Sequence, residues 1–260
     1  MDFEKSSNPT MRDKYFNEAI SDGTVMTING AMVKTCILLF FVIFGASFGW
    51  KHAVDILVPA LQAKDTLGID AALGSIQSWM WVSSLISLGL AFITCMMPHV
   101  AMFTSIGYAI AEGVAIGSLS LCYAIQFRGV VATALLATAG ITAAMFLLYK
   151  LNIVSVTEKF KSVVILSTFG VCFAGLAQLV CLFFFGTTVL SEGPIGIGLS
   201  LVFVVIASLN LLLDFDVIVK GAEAKAPKYM EWYAGFGLVV TIVWLYIELL
   251  RLISLFNKRN

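Results

Sequence analysis

Five carboxylates, Glu112, Asp214, Asp216, Glu231 and Glu248, lie in or at the edges of stretches apolar enough to sit in lipid. Little that is basic accompanies them: Lys34 at the start of the first apolar run and Arg251 near the end of the last. An ionised carboxylate in a bilayer core costs at least about 2.5 to 3.5 kcal/mol. A set of acids kept there without matching cations fits groups that hold protons, share them, or bind passing cations. Glu112 is about twelve residues into its apolar run, roughly 18 Å along a helix and so near mid-membrane. Asp214 and Asp216 are two apart, so on one helix they face nearly opposite ways and only one easily faces an interior. Asn210 is one helical turn from Asp214, within hydrogen-bonding reach, which makes Asp214 the expected interior acid. Glu248 lies about 24 Å along a helix from Trp232. With Asn210 and Thr241 as neutral oxygens, Glu112, Asp214, Asp216 and Glu248 read as an ion path through the membrane, in which Asp214 and Glu112 hold calcium weakly. Calcium wants several oxygen ligands, and a leak wants sites weak enough to release the ion.

Each acid also has a plainer reading. Asp214, Asp216 and Glu231 flank the stretch 217–231, where Lys220, Lys225 and Lys228 offer interfacial pairs. Glu248 and Arg251 are spaced for a local salt bridge. Glu112, neutral, would make one hydrogen bond between helices.

Enzyme chemistry has little support. The two histidines, His52 and His99, fall outside the apolar runs, and there is no GxSxG, HExxH or Gly-Lys-Ser/Thr loop. The five cysteines all lie inside apolar runs without a CxxC pair, and read as small buried hydrophobes with free thiols. No cofactor is implied beyond calcium as a permeant ion, and a net charge of zero offers no overall basic surface for nucleic acid.

The elements that must position these groups are membrane helices. The chain is 60% hydrophobic and 12% charged, against about 25% charged for a soluble domain, and its mean hydropathy is +0.96. Seven apolar runs, near 32–50, 79–97, 100–124, 130–149, 162–186, 195–216 and 232–256, each approach the roughly 20 residues that span a bilayer, and none alternates as a strand would. The expected fold is therefore an all-α polytopic bundle of seven transmembrane helices, 31–256, between a polar N-terminal segment 1–30 and a short tail 257–260. Pro98 and His99 alone divide the second run from the third, which predicts a tight hairpin. Gly45/Gly49 and Gly113/Gly117 are GxxxG pairs and mark close helix packing. Met11, Tyr15, Phe16 and Ile20 predict a short surface helix within Thr10–Ile20, and Asn8-Pro9 and Asp22-Gly23 read as turns. No cleaved signal peptide is expected. Lys and Arg fall mainly on the side of the N-terminus and of the loop 217–231, so both are expected in the cytoplasm. Turning the last segment back would add Arg251, Lys258 and Arg259 to that side, which keeps a re-entrant last segment as the alternative.

Four stretches carry a resemblance to the Bax inhibitor-1/lifeguard family in its bacterial YccA-like branch. Asn8-Pro9-Thr10-Met11 with Met26-Thr27-Ile28-Asn29-Gly30 resembles that branch's N-terminal signature. Glu112-Gly113 to Gly117 is similar to its third-helix glycine motif, and Leu213-Asp214-Phe215-Asp216 to its sixth-helix acidic motif. Glu231-Trp232-Tyr233 through Trp244-Leu245-Tyr246 to Leu249-Leu250-Arg251 resembles its last helix. The resemblance implies a pH-sensitive calcium leak in the cell (inner) membrane, closed when an acid on the sixth helix shares a proton with one on the last. Asp214 matches the first of these. Where other branches place the second, this chain has Thr241, so the latch is missing or is rebuilt with Glu231 or Glu248. Asp214, Glu231 and Glu248 are thus the candidate pH-sensing groups. The reading from a different class is a non-conducting regulatory protein that acts on a membrane protease or a stress response. Besides the lipid bilayer, such a protease is the partner implied. The oligomeric state is not written in the sequence.

Overall fold

The computed structural model describes residues 25–63, 66–185 and 193–259. The surface helix expected within Thr10–Ile20 and the turns at Asn8-Pro9 and Asp22-Gly23 lie outside them. Among the described residues the chain forms seven long helices: α1 (Ile28–Ala63), α2 (Thr66–Met96), α3 (Ala101–Gln126), α4 (Val130–Lys150), α5 (Glu158–Phe185), α6 (Gly193–Glu223) and α7 (Met230–Arg259). All seven are long and apolar enough to cross a membrane, and a lipid bilayer is the surrounding phase they imply. A single 3-10 turn, Pro98–Val100, joins α2 to α3. Proline removes a backbone donor and stops α2 there.

The helices outrun three of the expected boundaries. α1 continues past Trp50 to Ala63 with Pro59 inside it, and α2 begins at Thr66 rather than near 79. Ala53 and Leu57 on α1 bury against Ala72 and Ile76 on α2 and Leu121 on α3. That spacing of four keeps one face of each helix apolar beyond the run that hydropathy marks. The loop placed at 217–231 is shorter: α6 runs on to Glu223 because Ile218 is fully buried, and only 224–229 remain between helices. Lys225 turns the chain there at φ 53°. The last helix is continuous over 30 residues, so a segment that turns back is not what forms.

The chain divides into two compact units. One takes in the residues up to Cys122 together with Val217–Val239; the other is Tyr123–Asp216 with Val240–Asn260.

Within the first unit, α1 and α3 meet backbone to backbone. A Cβ on Gly45 would lie 2.3 Å from the Ile110 carbonyl oxygen, one on Gly113 2.3 Å from that of Val42, and one on Gly117 2.0 Å from that of Ala46. Glycine alone permits this approach. The Ser118 hydroxyl donates across the same contact to the Gly49 carbonyl at 3.3 Å. The Tyr108 ring meets Phe236 edge-on at 5.0 Å, and His52 lies between Phe48 and Trp79.

Within the second unit, Asn210 on α6 donates to the Thr168 hydroxyl on α5 at 2.8 Å. Phe215 packs on Phe146 and Tyr149 of α4. Ala207 and Leu211 on α6, and Leu245 and Leu250 on α7, are fully buried.

Candidate functional site

α6 carries two acids that turn away from each other. Asp214 meets α7, where the Thr241 hydroxyl donates to its carboxylate. Its Oδ2 is buried and has no hydrogen-bond partner. Asp216 is 5% exposed and faces α4 and α5. Lys161 Nζ lies 3.1 Å from its Oδ2, and the Tyr149 hydroxyl donates to its Oδ1 at 3.5 Å. Lys161 also reaches Glu158 at 3.2 Å. Asn210 does not serve Asp214. Its amide spends its donors on Thr168 and on the Ile206 carbonyl.

Glu248 lies seven residues beyond Thr241, two turns along α7 and on the same face. It is 8% exposed. The Trp244 indole one turn earlier hydrogen-bonds it, and the Arg251 guanidinium acts on it through space. Its Oε2 is buried and unpartnered. Asp214 and Glu248, both in the second unit, thus each have a neutral hydrogen-bond donor and one carboxylate oxygen that is buried and bare. Ser200, fully buried on α6, also has an unpartnered hydroxyl.

The first unit holds Glu112 and Glu231. The Ser87 hydroxyl of α2 lies 2.5 Å from Glu112 Oε2 and 2.9 Å from the Ser84 carbonyl. A hydroxyl has one proton to give. Both contacts are full hydrogen bonds when Glu112 supplies a proton of its own.

Glu231 is 1% exposed. The Thr27 N–H and hydroxyl donate to its Oε1 at 3.1 and 3.0 Å, and Lys34 Nζ lies 3.1 Å from its Oε2. Lys34 also sits over the Trp232 ring, 5.8 Å from its centroid. The partner is therefore Lys34 of α1, not a lysine of the 217–231 stretch. Two of the five acids have a lysine after all. Lys161, at the edge of the fifth run, was the cation that counting within the runs passed over. Among the described residues no group of three or more His, Cys, Asp or Glu is gathered to hold a metal ion.

Seven apolar helices with carboxylates buried between them define a multi-pass membrane protein. Residues 4–258 match the model of the family described as Bax inhibitor 1 like, and the chain belongs to that family. No curated protein and no solved structure matches the chain.

Proposed function

We propose that this protein is a pH-gated cation leak, with calcium as the favoured ion and Asp214 as the group whose proton closes it. The observation that carries the reading is the Asp214 carboxylate, held by one hydroxyl with its second oxygen buried and bare. With its proton on, the acid is neutral and the helix pair packs closed. With the proton off, an uncompensated charge sits in a medium of low dielectric, where it draws water and a cation. Glu248, two turns along the same face of α7, is the next carboxylate such a cation would meet in that unit. Glu112 belongs to the reading as a mid-depth acid tested on its own. Weak calcium sites of one or two carboxylates suit release better than a closed cage. The reading places the chain in the YccA-like branch, in the inner membrane of a cell, with its N-terminus and residues 224–229 in the cytoplasm.

The test is calcium flux into liposomes across pH. Flux that falls as the pH is lowered, and loses that response in Asp214→Asn, supports the reading. An unchanged pH profile in the variant sinks it. A second reading, a non-conducting regulator of a membrane protease, draws on the two acids already engaged by lysines, Glu231 and Asp216. It requires no flux at any pH, with protease turnover in cells changed by deletion of the protein.

A further inference from the structure

Glu231 on the first turn of α7 closes the first turn of α1. Thr27 precedes α1, and its Oγ1 accepts the Gly30 N–H at 3.0 Å, which caps the helix. The same hydroxyl donates a hydrogen bond to Glu231 Oε1 at 3.0 Å. The carboxylate also accepts the Thr27 N–H, so it lies at the positive end of the helix dipole. Gly30 is what admits it. A Cβ there would lie 2.0 Å from Glu231 Oε1. The chain on both sides is paired as well: Met26 N–H donates to the Ala226 carbonyl at 2.7 Å, and Val25 bridges Pro227. One turn along α7, a Cβ on Gly235 would stand 3.1 Å from the Thr35 hydroxyl.

A buried ion pair is a poor source of net stability, because desolvation offsets most of its attraction. Its best-attested use is to fix register. A slip of α7 by one turn would strand the Glu231 carboxylate, the Lys34 ammonium and the Thr27 N–H together. Glycine is a poorer helix former than alanine, and at position 30 it makes room for the acid.

We propose that Glu231, with Lys34, Thr27 and Gly30, is a register key: a positioning residue that sets the axial height of α7 against α1. Through α7, a continuous helix, it sets the height of the Thr241 hydroxyl ten residues on. Only this last step rests on the leak function proposed above. In this assignment Glu231 is a fixed strut and not the proton sensor.

Register is read by cross-linking in the full chain, with the native cysteines replaced by alanine. Thr35→Cys with Gly235→Cys reports the observed register, and Thr35→Cys with Val239→Cys reports a slip of one turn. With Glu231 intact the first pair should oxidise at least about tenfold faster than the second. Glu231→Ala should remove most of that preference. Glu231→Gln keeps an acceptor for Thr27 and loses only the charge, so it should fold and retain part of it. An unchanged preference in both variants overturns the key. Flux is the second readout. Per folded protein, the pH midpoint should move in Glu231→Ala and return toward the native value in Glu231→Gln. A lost register with an unmoved midpoint overturns the link to Thr241. Absence of flux in the native protein overturns the leak function and leaves the cross-linking result standing.

Discussion

The Thr241 hydroxyl donates to the Asp214 carboxylate across the α6–α7 contact. The position where the resemblance places a second acid therefore does face the sixth-helix acid, with a neutral donor in its stead. A hydroxyl can hold one oxygen of Asp214 but cannot share its proton as a second carboxylate would. Thr241→Asp should restore a pair, and two carboxylates in reach share one proton. The midpoint of calcium flux should then move to higher pH. Thr241→Val keeps the shape and removes the donor, leaving Asp214 with both oxygens bare, a cost of about 1 to 3 kcal/mol. A flux profile indifferent to both changes would show that this contact has no part in gating.

Ser87 and Glu112 make a second, separate prediction. A proton on Glu112 would give each of the two Ser87 contacts a donor of its own. Infrared difference spectra should contain the carbonyl band of a protonated carboxylic acid that disappears in Glu112→Gln and shifts in Ser87→Ala. Glu112→Gln should fold, since the amide replaces the donor, and should reduce cation flux. Full flux in this variant removes Glu112 from the ion path.

These sites show how far the residues alone could lead. Seven helices follow from seven apolar runs, because only hydrogen-bonded helices satisfy the backbone in lipid here. The opposite facing of Asp214 and Asp216 follows from the helical period. Their partners do not. Thr241 and Lys161 reach them only once α7 and α5 are packed against α6, and no local spacing encodes that. Lys34 lies almost 200 positions before Glu231, and the signal that could have joined them was Gly30, a glycine on the first turn of an apolar helix. The extension of α1 and α2 was also hidden, because Ala53, Leu57, Ala72 and Ile76 keep a helical stripe among residues too polar on average to mark a span. The acid near mid-membrane, Glu112, was legible by position, but its tie to Ser87 was not.

The backbone contact between α1 and α3 should tolerate no side chain. A Cβ on Gly117 would stand 2.0 Å from the Ala46 carbonyl oxygen, and backbone cannot move aside as a flexible side chain does. Gly117→Val should lower the stability by at least about 1 to 3 kcal/mol, read as a fall in melting temperature in detergent. Gly140, with nothing within 4 Å of its added Cβ, is the control. Gly140→Ala should be neutral or slightly stabilising. Equal effects at the two positions would mean that the helices are not in this contact.

Asp216 and Lys161 separate a structural pair from a conducting acid. Lys161 Nζ lies 3.1 Å from Asp216 Oδ2, and the acid's side chain is 7% exposed while the lysine's is 25% exposed. Removing one partner of a buried pair leaves a charge uncompensated, which costs about 3 to 5 kcal/mol when both are fully buried. The partial exposure of Lys161 places the cost of Asp216→Asn toward the lower end or below it, since water can then solvate the freed ammonium. Lys161→Met should be the more damaging single change, because it strands the better-buried carboxylate. The double variant should recover much of the loss, as a cycle of melting temperatures would read. Flux per folded protein, and its pH midpoint, should be the same in all three variants as in the native chain. If Asp216→Asn instead alters ion selectivity while the double variant regains no stability, Asp216 belongs to the ion path and the pair with Lys161 is incidental.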